Sequence, residues 1–214
     1  MHIEVLVEDS SGERLLAQLL PHILGEQGAP HTWRLTAYKG IGRIPKGLTA
    51  KADPAKRILL DQLPRLLQGY GRTPGIDAVV VVADTDRRSC EEFLQELKAV
   101  ASRCNPAPRT MFRLAIEEME AWYLGDRAAL LKAYPRAKRE VLDRYVQDSP
   151  CGTWELLADA VHAGGAAVIK KSGWPLPGQI KHEWAEKIGP LMNLEHNMSP
   201  SFRKFREGLL RLIS

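Results

Sequence analysis

The sequence is poor in the residues that staple or anchor a chain. Its three cysteines, Cys90, Cys104 and Cys151, form no CxxC pair and are odd in number, so neither a disulfide framework nor a thiolate zinc site is indicated. Long hydrophobic runs are missing as well. Stretches such as Ala78 to Ala83 fall far below the roughly 20 apolar residues of a membrane-spanning helix. Near the start, Glu4, Glu8, Asp9 and Glu13 interrupt any apolar core of a secretory signal, so a cytoplasmic, membrane-free protein is expected. No GxxxxGK[ST] phosphate loop, GxSxG elbow or HExxH helix occurs, and the GxG of Gly40-Ile41-Gly42 lacks the strand-to-helix setting of a dinucleotide fingerprint.

What is present suits a globular chain: 214 residues, 44% hydrophobic and 26% charged. That length fits one large domain, or one domain with an appendage. The 30 basic and 26 acidic side chains leave a net charge of +4, which by itself says little about a polyanionic partner. Their distribution says more. In the first half, acids recur at the ends of apolar segments. The second half carries basic clusters at Arg136, Lys138 and Arg139, at Lys170, Lys171 and Lys181, and at Arg203, Lys204, Arg206 and Arg211.

His2 to Val7, β-branched at Ile3, Val5 and Val7, reads as a buried strand, and Leu15, Leu16, Leu19, Leu20 and Ile23 follow at helical spacing. Trp33 to Tyr38 reads as a second strand and Lys39 to Gly47 as a Gly- and Lys-rich loop. A helix from Pro54 to about Gln68 is expected to break or kink at Pro64. Asp77 to Ala83 is the clearest strand, since an unbroken valine run implies burial on both faces, as in a parallel sheet. A helix over Ser89 to Ser102, a fourth strand over Met111 to Ile116 and a helix from Glu117 to Leu124 complete the alternation. The pattern predicts a three-layer parallel α/β core over residues 1–126. Beyond it, helical segments over 126–134, 153–163, 179–192 and 200–212 predict a helical extension, residues 127–214, packed on that core.

In an open parallel sheet, ligands bind at the carboxyl ends of the strands. Three of the four predicted strands end there in acids: Glu8 and Asp9, then Asp84 and Asp86, then Glu117. Glu120, three residues after Glu117, shares a helix face with it. Carboxylates gathered without partners repel one another, and a hard divalent ion, Mg²⁺ or Mn²⁺, removes the conflict through oxygen ligation. Other duties compete with this one: Asp86 alone suits a cap for the helix near Ser89, and Glu118 suits solvent. Cys90 reads as a small buried helix residue. Trp122 and Trp154 read as core, whereas Trp174, between Gly173 and Pro175 and beside Lys170 and Lys171, is the best candidate to stack on an unpaired base. Arg113, inside the fourth strand, needs a carboxylate partner if buried. Ser199 reads as the start of the last helix, with Phe202 and Phe205 packing inward.

An acid after the first strand, a DxD after the third and an apolar parallel core resemble the Toprim fold of topoisomerases, bacterial primases and the nuclease half of overcoming-lysogenization-defect proteins. A longer resemblance spans nearly the whole chain. The runs VEDSSGERLLAQLLPHIL, VVVVADTDRRSC, RLAIEEMEAWYLGD and SPSFRKF look like a bacterial Toprim-like family catalogued as domain of unknown function 4276.

The Toprim resemblance implies a Mg²⁺- or Mn²⁺-dependent nuclease. Glu8 would be general acid/base or metal ligand, and Asp84 and Asp86 the metal-binding pair; strand-end and helix-face geometry, more than any motif, offers Glu117 and Glu120 to complete a second metal site about 4 Å from the first. Glu13 is the candidate for a further acid, and Asp9 replaces the usual Toprim glycine. Relatives of the nuclease type also use a lysine against transition-state charge, a role that falls first to Lys181. Lys170, Lys171 and Trp174 would bind substrate. The implied partners are nucleic acid, with DNA the first choice, an ATPase encoded nearby in a phage-defence system, and a second copy of the chain. A non-catalytic subunit regulating that ATPase is the alternative expectation.

Overall fold

The computed structural model describes residues 1–45 and 53–214. Among these, four strands form one all-parallel sheet: β1 (His2–Val7), β2 (Thr32–Ala37), β3 (Ala78–Asp84) and β4 (Thr110–Ala115), in the order β2-β1-β3-β4. The valine run of β3 explains its central place. Val80 and Val82 face one hydrophobic core together with Val5 and Leu16, while Val79 and Val81 face a second with Leu63 and Phe93. Polar residues at either set of positions would strand a side chain in a core.

Parallel neighbours need crossover connections, supplied by α1 (Ser10–Leu24), α2 (Leu59–Gly71) and α3 (Cys90–Ser102). Asp9 caps α1 by accepting from the Gly12 N–H at 2.7 Å. Gly12 has no room for a side chain: a Cβ there would lie 2.7 Å from a Val7 methyl and 2.8 Å from the Met119 sulfur. That close approach draws the start of α1 down onto β1 and the segment after β4.

Helices α2 and α3 differ from expectation. Helix α2 starts at Leu59, after a 3₁₀ turn at Pro54–Lys56, and runs through Pro64 unbroken. An interior proline costs a helix about 3 kcal/mol, and burial of Leu59, Leu60, Leu63 and Leu67 outweighs it at roughly 1.5–3 kcal/mol for each large apolar side chain. Helix α3 is capped by Ser89 rather than Asp86, and Cys90 at its start is exposed rather than buried. Of the Gly- and Lys-rich loop, Lys46 and Gly47 lie outside the described residues.

After β4 come α4 (Glu120–Leu124), α5 (Arg127–Ala133), α6 (Arg139–Leu142), α7 (Thr153–Val161), α8 (Gly165–Ser172), α9 (Leu176–Ile188) and α10 (Pro200–Ile213). Short α6 and α8 were not legible from periodicity, and α4 begins three residues later than expected. The later helices close over the sheet face that carries α1, and Leu157, Ile169, Trp184 and Leu209 share one core with Ile3 and Val80. Helix α10 is capped by Ser199, and its Phe202 and Phe205 pack on Trp122 with ring centroids 5.5 and 4.9 Å away. Arg113 finds carbonyls instead of a carboxylate. It donates to the Lys204 carbonyl at 2.8 Å and the Phe112 carbonyl at 2.7 Å, tying α10 to β4. No helix among the described residues is long and apolar enough to cross a membrane.

Candidate functional site

β1 and β3 are parallel neighbours in register, Val7 beside Val82, so the residues that follow them emerge side by side at the carboxyl rim. Glu8 Oε2 accepts from the backbone N–H of Asp84 at 3.2 Å, which locks the two chain ends together. The loops after β3 and β4 are joined in turn. The Thr85 N–H donates to the Ala115 carbonyl at 3.0 Å, the Asp86 N–H to the Glu117 carbonyl at 2.9 Å, and the Glu117 N–H to the Thr85 hydroxyl at 2.7 Å.

This clasp holds Glu117 and Asp86 in the left-handed backbone region, at φ 61° and 49°. Side chains with a Cβ rarely sit there, at a cost of about 1–3 kcal/mol each. The turn sends the acids after β4 to separate destinations. The Glu117 carboxylate accepts from the N–H groups of Cys151, Gly152 and Thr153 and from the Thr153 hydroxyl, at the N-terminus of α7. Burial would raise its pKa, but these donors bring it below the usual carboxylate range. Glu118 and Glu120 instead meet a lysine.

That lysine is Lys181 of α9. Its Nζ lies 3.4 Å from Glu120 and 3.7 Å from Glu118, with all three side chains largely buried. Burial alone would lower the lysine pKa. Glu120 and Glu118, followed by Asp84 and Asp9, reverse that and raise it, so the ammonium stays charged. One cation does not balance so many acids. Burial, with Asp86 and Asp9 adding repulsion, pushes Glu8 up to about 7 despite the bond from Asp84. Burial and the neighbouring Glu120 push Glu118 up to about 8. Asp84 is raised well above the aspartate range, first by burial and then by Glu8 and Glu120. Its buried Oδ1 and the buried Oε2 of Glu118 find no hydrogen-bond partner among the described residues.

Glu8, Asp84, Glu120 and Lys181 are therefore brought together, with exposed Asp86 close enough at the rim to perturb Glu8. Glu117 turns to α7. Lys170 pairs with Glu155 at 2.9 Å and lies over the Trp154 ring at 5.4 Å, and Lys171 is exposed at the end of the same helix. Trp174 is 82% exposed and lines a cleft of 790 Å³ that reaches Asp9 and Lys181, whereas Lys170 and Lys171 lie outside that lining. Glu118, expected in solvent, is the member that sequence reasoning missed. Its one signal is the run of three acids, Glu117, Glu118 and Glu120, directly after a buried strand.

The family model described as a domain of unknown function, DUF4276, matches residues 7–210. The chain belongs to that family. Comparisons with curated proteins and with solved structures returned no match. The DUF4276 match takes in both the α/β part and the later helices. The site needs both, since Glu8, Asp84 and Glu120 come from one and Lys181 from the other.

The DUF4276 residues fit a hard divalent ion by donor chemistry: every candidate ligand is a carboxylate, and the buried Asp84 Oδ1 has no hydrogen-bond partner among the described residues. They do not form a closed cage, for no three His, Cys, Asp or Glu side chains among the described residues are arranged to hold a metal. Mg²⁺ rarely demands a cage. It keeps several waters and is bound by one or two carboxylates plus substrate phosphate oxygens, and Glu8 and Asp84 are donors of that type.

Proposed function

We propose that this protein is a divalent-metal-dependent phosphodiester hydrolase acting on nucleic acid. The observation that carries the reading is the pair Glu8 and Asp84 at the carboxyl rim of two adjacent parallel strands, half-buried and mutually repelling, with the buried Asp84 Oδ1 lacking a hydrogen-bond partner among the described residues. Strongly perturbed titratable groups beside a cleft mark functional sites more often than structural ones. The resemblance of the acid pattern to Toprim nucleases supports the same chemistry.

A Mg²⁺ or Mn²⁺ ion held by Glu8 and Asp84, with Asp86 at the rim, would supply Lewis-acid charge to a phosphate oxygen. The chain's own residues supply the rest. Burial pushes Glu8 up to about 7 in the metal-free site, and a bound divalent ion would favour the carboxylate form that ligates it. Lys181 holds a fixed positive charge beside the site, where charge on a phosphorane-like transition state is stabilised by preorganised groups. Glu118 and Glu120 hold that ammonium in place. Family resemblance extends the proposal to a neighbouring ATPase as partner, to phage defence and to the cytoplasm as compartment.

The test is hydrolysis of single-stranded and plasmid DNA and of RNA with Mg²⁺ or Mn²⁺. Wild type is expected to cleave and Asp84→Asn to lose about a hundredfold or more, since even outer-shell partners of metal ligands cost 10–100-fold. If the two are equally inert, with and without a partner ATPase, the hydrolase reading fails.

A further inference from the structure

The 790 Å³ cleft beside the acid group is built for a particular kind of strand. Its volume falls within the roughly 300–1,000 Å³ of small-ligand sites. That is room for one or two unpaired nucleotides and too little for a duplex. Lys181 belongs to both places, lining the cleft while its Nζ sits 3.4 Å from Glu120.

Trp174 stands in the wall of this cleft with 82% of its surface exposed. The buried tryptophans Trp122 and Trp184 show what the fold does with an indole it uses for packing. One edge of the Trp174 ring rests over Gly178, where an added Cβ would lie 2.8 Å from Cη2. Gly178 thus seats the ring, and the remaining indole surface is bare. An exposed flat ring costs solvation without a packing return, and a base stacked on it supplies that return.

The polar lining complements a phosphodiester backbone. Lys39 is exposed and makes no ion pair among the described residues, and His182 is held by Ser10 at 2.8 Å. The carboxylate in the wall, Asp9, is engaged with the Gly12 N–H and the Ser11 hydroxyl.

We propose that the cleft takes an unpaired nucleotide flanking the scissile phosphate, its base stacked on Trp174 and its backbone near Lys39. The substrate is then single-stranded nucleic acid, or a frayed or flapped end. This inference rests on the hydrolase reading for the phosphate's place, but its test does not need turnover.

The test measures anisotropy of a short labelled oligonucleotide, a blunt hairpin duplex closed by a non-nucleotide linker and an abasic oligonucleotide. They bind protein carrying Asp84→Asn, with EDTA, so that nothing is cleaved. The single strand is expected to bind more tightly than the hairpin or the abasic strand. Trp174→Ala should weaken it about tenfold, since stacking is worth about 1–3 kcal/mol per base and 1.4 kcal/mol is tenfold. Trp174→Phe should restore most of the loss. Equal affinity for hairpin and single strand, equal affinity for the abasic strand, or no effect of Trp174→Ala would overturn the inference. Single-strand binding that depends on Trp174, in a protein that hydrolyses nothing with any metal, would uphold it and overturn the hydrolase reading. Metal-dependent hydrolysis with affinity indifferent to Trp174 would do the reverse.

Discussion

Two acids on neighbouring strands of this sheet live under opposite conditions. Glu4, in the middle of β1, is 2% exposed and completely bonded. Arg34 Nη2 meets its Oε1 at 2.9 Å, Arg34 Nε meets its Oε2 at 2.9 Å, and His2 lies 3.3 Å away. Asp84, at the end of β3, faces Glu8 and Glu120 across a site with one lysine, and one of its oxygens has no partner among the described residues. A fork-to-fork arginine pair is how a fold neutralises a carboxylate it merely has to bury. Asp84 has no such partner, and on the proposed reading a bound cation supplies the missing charge.

That contrast predicts opposite responses to the same chemical change. Glu4→Gln removes charged bonds and should destabilise the fold by about 2 kcal/mol, within the range for hydrogen bonds to ionised groups. Asp84→Asn removes repulsion and should leave metal-free stability unchanged or raise it by up to about 1 kcal/mol, the trade of stability against activity seen where a site is strained for function. Chemical denaturation of both variants checks the pair. Equal destabilisation would erase the distinction between them.

Proton linkage sharpens the same comparison. Glu8 and Glu118 titrate near 7 and 8 in the fold, against an ordinary glutamate value of 4.5 in the unfolded chain. Between those values the folded state binds more protons. The stability they contribute is complete below the ordinary value and is lost as pH rises through 7 to 8. Metal-free protein should therefore melt lower at pH 8 than at pH 5.5, by on the order of 2 kcal/mol or roughly 4–8 °C, and a divalent ion should flatten the slope. A slope that persists unchanged with saturating Mn²⁺ would count against ligation by Glu8.

Much of this was legible in the residues. The valine run of β3 and the acids at the strand ends located the rim, because burial on both faces and register follow from side-chain chemistry. What stayed hidden depended on backbone geometry. Glu117 and Glu120 have helical spacing, but α4 begins only at Glu120, and the left-handed turn at Glu117 sends its carboxylate to α7. Glu118, rather than Glu117, thereby joins Glu120 beside Lys181. Lys170 and Lys171 lie near Trp174 in sequence, yet α8 ends at Ser172 and the chain re-aims through Gly173 at φ 66°, leaving the cleft to Lys39, Lys181 and His182. Arg113 looked in need of an acid, but a helix packed across its strand offered a carbonyl.

The most direct test of the central claim is calorimetric titration of Mn²⁺ into metal-free wild type, Asp84→Asn and Glu4→Gln. The account predicts binding by wild type and Glu4→Gln and its loss in Asp84→Asn. Absence of binding in wild type, or undiminished binding in Asp84→Asn, would contradict it.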